Sequence, residues 1–250
     1  MHATGSYLAS VAPQLEEALE KGWHVVSTCE ELSYPFQRHP ALSARLDERA
    51  RASDRTLVGT GVNPGLLMDR FPVFLASATH GIRGVRVERV QDPTPRRLPF
   101  RKKMGLGLAR ADFDAKVASG AFGHVGLEES GRLITDGLGW QIDAWSRDLQ
   151  PVQPNPDGPV VGLVEPLSGA PEDGRTVDLH FEAQTAVDDP YDAVTIEGTP
   201  PLHSRFQGGG VLGDAATAAS VLRGARVVGS APRGLITALD LPLRPRPDPP

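Results

Sequence analysis

Three stretches of the chain hold side chains whose types and spacing can do chemistry. In Ser27-Thr28-Cys29-Glu30-Glu31-Leu32-Ser33-Tyr34-Pro35, two adjacent carboxylates follow a short apolar run. Ligands of open α/β sheets bind beyond the carboxyl ends of strands. A carboxylate there can hold an amine or shuttle a proton, with burial raising its pKa. Neighbouring glutamates in a polar loop also serve as solvated charges or helix caps, and the residues alone leave both readings open. Cys29 has no clear base partner and reads as a small buried side chain rather than a nucleophile.

The second stretch is Gly59-Thr60-Gly61-Val62-Asn63-Pro64-Gly65, between a strand pattern and a helix pattern. Glu88 and Asp92 lie on the next strand, an order that imitates a dinucleotide phosphate loop. The spacing is GxGxxxG, however, and Pro64 removes an N–H where donors are wanted. The alternatives are a tight strand-to-helix turn, or a position for Asn63 at the mouth of the sheet, where its amide can bond a nicotinamide or a substrate. Gly208-Gly209-Gly210-Val211-Leu212-Gly213 matches GxGxxG outright. Residues 199–204 before it do not read as a strand, and Asp214, taken as the N-cap of the next helix, opposes a phosphate there. A glycine turn passing close to a ligand or another backbone is expected.

In the third stretch, Gly123-His124-Val125-Gly126-Leu127-Glu128-Glu129-Ser130, His124 and Glu128 stand one helical turn apart. Such a pair can bind metal, but a further ligand at matching spacing is missing. A surface ion pair or a substrate contact is the expected use. Arg96, Arg97, Arg101, Lys102 and Lys103 form a basic cluster that can receive a carboxylate or phosphate, or simply be solvated. Trp140 and Trp145 are expected in the core or at an oligomer interface.

The elements that must position these residues alternate. Residues 13–22 predict a helix with Pro13 in its first turn and Gly22 as its stop. A buried strand at 23–28, a helix at 40–53 and a strand at 56–59 follow. Short helix–strand links imply a parallel sheet with covered faces. Beyond residue 65 the pattern changes to α+β: helices at 66–79, 111–119, 125–138 and 214–222, and strands at 85–90 and 160–165. Val177, Leu179, Phe181 and Ala183 alternate with polar residues, predicting a half-exposed antiparallel strand with 194–197 as its partner. Residues 244–250 read as a disordered tail.

Composition bounds the function. The chain has 250 residues, 40% of them hydrophobic, and a net charge of -5, which argues against a nucleic-acid partner. No apolar run approaches the roughly 20 residues of a membrane span. The amino terminus lacks the pattern of a signal peptide. A single cysteine forms no intramolecular disulfide, so the cytoplasm is the expected location.

Together, Val25–Pro35, Gly59–Gly65, Gly123–Ser130 and Gly213-Asp214-Ala215-Ala216-Thr217-Ala218-Ala219 resemble 2,4-diaminopentanoate dehydrogenase and its relatives, the NAD(P)H-dependent amine dehydrogenases and dihydrodipicolinate-reductase-like proteins. The resemblance runs from about Ala3 to Pro242. It implies α/β plus α+β architecture. Residues 1–64 would be the C-terminal portion of a Rossmann nucleotide-binding domain and 65–212 an α+β substrate and dimerisation domain. Residues 213–243 would return to the nucleotide domain. It also implies a homodimer and an oxidoreductase exchanging hydride between a nicotinamide and a primary amine or diamine, with a ketone as the other product. Glu30, before Glu31, would hold the amine or activate water. Ser27, Thr28 and Asn63 would lie near the NAD or NADP nicotinamide, and His124 and Glu128 near substrate.

Relatives begin with about 70 to 90 residues that have no counterpart here, including the phosphate loop. The chain is therefore expected to be a truncated product or to carry a misassigned start, to keep only the nicotinamide end of the NAD(P) site, and as written to bind NAD(P) weakly or not at all and to be inactive. A non-catalytic dimerising or ligand-binding remnant and a dihydrodipicolinate-type imine reductase are the alternatives. The latter lacks its basic-plus-histidine substrate motif.

Overall fold

A computed structural model describes residues 1–120, 122–170, 173–185 and 187–243, so the expected tail at 244–250 lies outside the described residues. Helix α1 (Leu8–Glu20) buries Leu8, Val11, Leu15 and Leu19 along one face. It starts at Leu8 rather than Pro13, which therefore lies inside the helix. The apolar stripe begins at Leu8, and burying that face outweighs the amide bond lost at the proline. Gly22 ends the helix as expected: its φ is +73°, and Trp23 N–H returns to the Ala18 carbonyl.

Strand β1 (Val25–Ser27), helix α2 (Pro40–Ala52) and strand β2 (Thr56–Gly59) form a right-sized parallel crossover, with Val25, Val26 and Ser27 beside Leu57, Val58 and Gly59. Successive residues serve opposite faces. Val25 and Leu57 join α1 and α2, whereas Val26 and Val58 face the other way. The segment after β1 is not the open loop that its polarity suggests. Glu30–Ser33 is a 3-10 helix packed so closely on β2 that a Cβ at Gly59 would lie 2.6 Å from the Leu32 carbonyl carbon.

The helix expected over 66–79 is confined to α3 (Arg70–Ala76). Asp69 caps it and also bonds Gly65 N–H at 2.9 Å, so residues before Asp69 are drawn into turns. Strand β3 (His80–Gln91) is followed by α4 (Leu98–Lys103), α5 (Arg110–Ala118) and α6 (Leu127–Leu138). Strands β4 (Trp145–Arg147), β5 (Gln150–Val152), β6 (Gly162–Gly169), β7 (Thr176–Gln184), β8 (Tyr191–Thr199) and β9 (Leu202–Phe206) complete a sheet ordered β4-β6-β7-β3-β8-β9, with β5 also on β6.

The alternation in β7 identifies its buried face, but β7 and β8 are not partners. β3 lies between them, parallel to β7 and antiparallel to β8. Alternation specifies a face and not a neighbour. Of residues 199–204, read as non-strand, 202–204 belong to β9, which pairs antiparallel with β8 beyond the turn at Pro200-Pro201. None of them is fully buried, so the period-2 signal is faint. Ala76, Phe113 and Ile134 from the helices meet Val87, Leu179, Phe181 and Ile196 of the sheet in one core.

Helix α7 (Gly213–Val227) crosses back, and strand β10 (Gly234–Ile236) pairs parallel with β2. Leu212 is the N-cap, not Asp214, whose carboxylate instead receives Arg96 at 3.0 Å from the first turn. Gly224 lets α7 approach Val26, and Val221 and Val227 seal the second face of the small sheet. The expected fold class, a partial Rossmann parallel sheet joined to an α+β unit, is the one observed.

The contact at Gly59 generates a stability prediction. Gly59→Ala should lose about 2–3 kcal/mol in urea unfolding, because backbone rather than a flexible side chain blocks the new methyl. Gly229→Ala, with nothing within 4 Å, should change stability by less than about 0.5 kcal/mol.

Candidate active site

Parallel pairing brings the ends of β1 and β2 side by side, and the candidate residues gather there. Ser27 is fully buried, its Oγ accepting from Cys29 N–H at 3.0 Å and facing His2 Nδ1 at 2.8 Å. Thr28 follows, half-buried, with its N–H on the His2 carbonyl. Cys29 is buried as expected, and burial pushes its thiol up to about 12. It is not a nucleophile at neutral pH.

The two glutamates diverge. Glu31 is buried, and its Oε2 accepts Leu8 N–H at 2.7 Å and faces His39 Nε2 at 2.8 Å, which makes it the cap of α1. The Glu30 side chain is 25% exposed and lies 3.5 Å from Lys103 Nζ, which also donates to Ser6 Oγ at 2.6 Å. Gly126 has a φ of +101°, and a Cβ there would sit 3.1 Å from Glu30 Cβ and 2.5 Å from Pro64 Cδ. Glu30 and the Asn63-Pro64 turn therefore meet over one glycine.

His124 and Glu128 are not one helical turn apart, because α6 begins only at Leu127, after left-handed Gly126. Glu128 pairs with Arg132 at 2.7 Å and Arg38 at 3.3 Å. His124 is drawn the other way: its Nε2 lies 3.1 Å from Asn63 Nδ2 and its ring 4.3 Å from the Phe181 centroid. Asn63 Oδ1 lies 3.4 Å from Ser130 Oγ, and Ser130 donates to buried Asp69 at 2.8 Å. Burial, then the positive charges of Lys103, Arg89, Arg147 and Arg96, lower the His124 pKa to about 3, so the ring is neutral at physiological pH.

The glycine-rich segments do not form a phosphate cradle. In 59–65, the Thr60, Val62 and Gly65 N–H groups already bond Ser27 O, Thr217 Oγ1 and Asp69 Oδ2. A Cβ at Gly65 would come within 2.4 Å of Gly61 N, so this glycine serves the turn itself. Gly208, Gly209 and Gly210 all have positive φ, and Gly210 passes close to Asp192. They make the expected glycine turn. Of the basic cluster, Arg96 binds Gln91 and Asp214 while Lys103 reaches Glu30. Trp140 is buried beside the Arg175 guanidinium, and Trp145 packs on Gly131 and Gly169. Among the described residues no group of three or more His, Cys, Asp or Glu is placed to hold a metal ion.

The model of the 2,4-diaminopentanoate dehydrogenase C-terminal domain matches residues 66–246. The chain belongs to this family. A 2,4-diaminopentanoate dehydrogenase of Acetoanaerobium sticklandii is 28% identical over 151 residues, which are 60% of this chain and 43% of that protein. The match thus spans less than half of the relative's length. An amine dehydrogenase from Mycobacterium smegmatis superposes with a TM-score of 0.85 at 23% identity, over 98% of this chain and 76% of that one. A scyllo-inositol dehydrogenase from Lactobacillus casei, whose structure holds NAD(H) and scyllo-inositol, gives 0.52 at 15% identity over 88% and 66%. At these identities the two structures show only the fold of this chain.

Sequence reasoning passed over Ser6, Asp69, Ser130, Arg147 and Glu165. Only the Gly65-to-Asp69 spacing and the position of Ser130 within the third motif carried any signal for them. The neutral histidine generates a pH prediction. The folded state resists protonating His124 while the unfolded chain accepts a proton near pH 6.5, so its stabilising contribution is present above 6.5 and is lost as pH falls toward 3. Urea midpoints for wild type should therefore fall more steeply between pH 6 and 4 than those of His124→Gln, by up to about 1.4 kcal/mol per pH unit.

Proposed function

We propose that the chain carries the acid–base side of a nicotinamide-dependent oxidoreductase interconverting a primary amine or diamine with its ketone. The observation that carries this reading is the meeting of Glu30 with the Asn63-Pro64 turn over Gly126, in a chain of this family. Residues 1–64 are the nucleotide-side unit in this reading, 65–212 the substrate unit, and 213–243 the return segment. The placement of β1, β2, α7 and β10 in one small layered unit supports that division.

The residues present fit the nicotinamide end of NAD or NADP. Asn63 is 9% exposed at the strand mouth, and beyond its bond to His124 its amide keeps one N–H and its carbonyl oxygen, since the single Ser130 proton goes to Asp69. Thr28, half-buried at the end of β1, lies on the same rim. The 59–65 loop, with its Thr60, Val62 and Gly65 N–H groups already engaged and none at Pro64, does not fit a pyrophosphate. When bound, the nicotinamide would supply or accept the hydride at the amine carbon.

The chain's own side chains do the proton work. The Glu30 carboxylate would hold the substrate ammonium, take its proton to free the amine and release it to solvent. Ionised again, it would accept a proton from the water that adds to the imine carbon and return it to the departing ammonia. Lys103 beside it would orient the carboxylate. Neutral His124 cannot donate charge; it would fix Asn63 instead. Arg38, Glu128 and His124 line a common cleft with Tyr7 and Phe122, which would receive the rest of the substrate.

In the active enzyme, Glu30→Gln should lower amine turnover with NAD(P)+ by at least about 100-fold and leave the unfolding midpoint near wild type. Glu31→Gln, at the α1 cap, should instead cost about 1–2 kcal/mol of stability. Steady-state kinetics on a panel of diamines, ketones with ammonia and cyclic imines, together with urea titrations, check both. Unchanged turnover in Glu30→Gln would defeat the reading, and preference for cyclic imines would favour the reductase.

A further inference from the structure

Glu165, on β6, takes no part in the proton work above, yet it is completely buried. Its two oxygens have separate tasks. Oε1 accepts from Arg147 Nε at 2.6 Å, and Oε2 accepts the backbone N–H of His124 at 2.7 Å. Arg147 also donates through Nη2 to the Phe122 carbonyl at 2.9 Å. The pair therefore grips the backbone on both sides of Gly123. Gly123 itself has a φ of +97°, and a Cβ there would meet Glu165 Oε2 and Arg147 Nη2 at 2.7 Å and Leu149 Cδ1 at 2.2 Å. Side-chain volume is excluded so that the carboxylate and guanidinium can close on the main chain. The next residue, His124, points its ring at Asn63.

We propose that Glu165, with Arg147, is a positioning residue that clamps the 122–124 backbone and thereby sets the His124 ring against Asn63. Burying a carboxylate is costly unless it is paired and fully hydrogen-bonded, as Glu165 is. An apolar residue would fill the same space in the core without that cost. What an apolar residue cannot do is accept a main-chain N–H and a guanidinium N–H at fixed angles. The role of the clamp in turnover rests on the function proposed above; its geometric role does not.

The test uses the whole ¹⁵N-labelled protein. Glu165→Gln keeps size but offers one acceptor oxygen, so either the His124 N–H or the Arg147 Nε–H loses its partner. The His124 amide should then exchange with solvent at least about 10-fold faster, and its ring nitrogen resonances should move. Turnover should fall about 10- to 100-fold in kcat with a smaller change in KM, as expected for misplacement near the reacting groups. Glu165→Asp, which retains both oxygens, should recover part of each effect. Arg147→Gln, which keeps an amide N–H donor for Glu165, should move the same resonances.

If Glu165→Gln and Arg147→Gln lower the unfolding midpoint but leave His124 exchange and ring resonances as in wild type, Glu165 is merely structural and the proposal fails. If wild type shows no amine turnover, the proposed function fails, and the resonances and exchange rates still decide the clamp.

Discussion

The buried carboxylate of Asp69 is the interaction on which the arrangement depends. It accepts from the Gly65 and Arg70 N–H groups and from the Ser130 hydroxyl, so three elements converge on one carboxyl group. Burial raises its pKa, and these three bonds work against that shift. Each bond has a structural consequence. The Arg70 bond starts α3, the Gly65 bond folds the chain after β2 into turns, and the Ser130 bond brings α6 across to the small sheet. Without them the segment after β2 would be free to continue as helix, and Asn63 would leave the strand mouth. The large sheet answers from the other side, where Glu165 holds His124. The candidate site is the seam between these two grips.

Much of this was legible in the sequence, for identifiable reasons. Strands β1 and β2 are buried on both faces, and the α2 between them has a clear stripe through Leu46 and Ala50, so the parallel unit could be read directly. The four motifs in order carried the family. The failures came where a tertiary contact overrides a local pattern. Residues 66–69 are compatible with helix, but Asp69 turns its side chain back to Gly65. His124 and Glu128 have helical spacing, but Gly126 takes a left-handed conformation and α6 starts only at Leu127, so they do not stand one helical turn apart. Glu31 looks equivalent to Glu30 in sequence, and only the approach of α1 shows which of them caps a helix. Glu165 and Arg147 meet through β6–β4 pairing, a register that no local period announces.

Proton counting along the seam gives it a direction. Ser130 has one hydroxyl proton, and its 2.8 Å approach to Asp69 Oδ2 claims that proton. The 3.4 Å approach of the same oxygen to Asn63 Oδ1 then lacks a donor. His124 Nε2 accepts a hydrogen bond from Asn63 Nδ2, which is possible because burial and the surrounding cations keep the imidazole neutral. Asn63 is thus held by its nitrogen while its carbonyl oxygen remains an under-used acceptor in a nearly buried position. Such a position is costly unless a donor fills it. A carboxamide N–H is a donor of the right size and polarity, which supports a nicotinamide rather than a phosphate at this end of the sheet. Asp69 does not touch the ligand in this scheme, yet its charge state decides whether Ser130 competes for the Asn63 carbonyl or leaves it open.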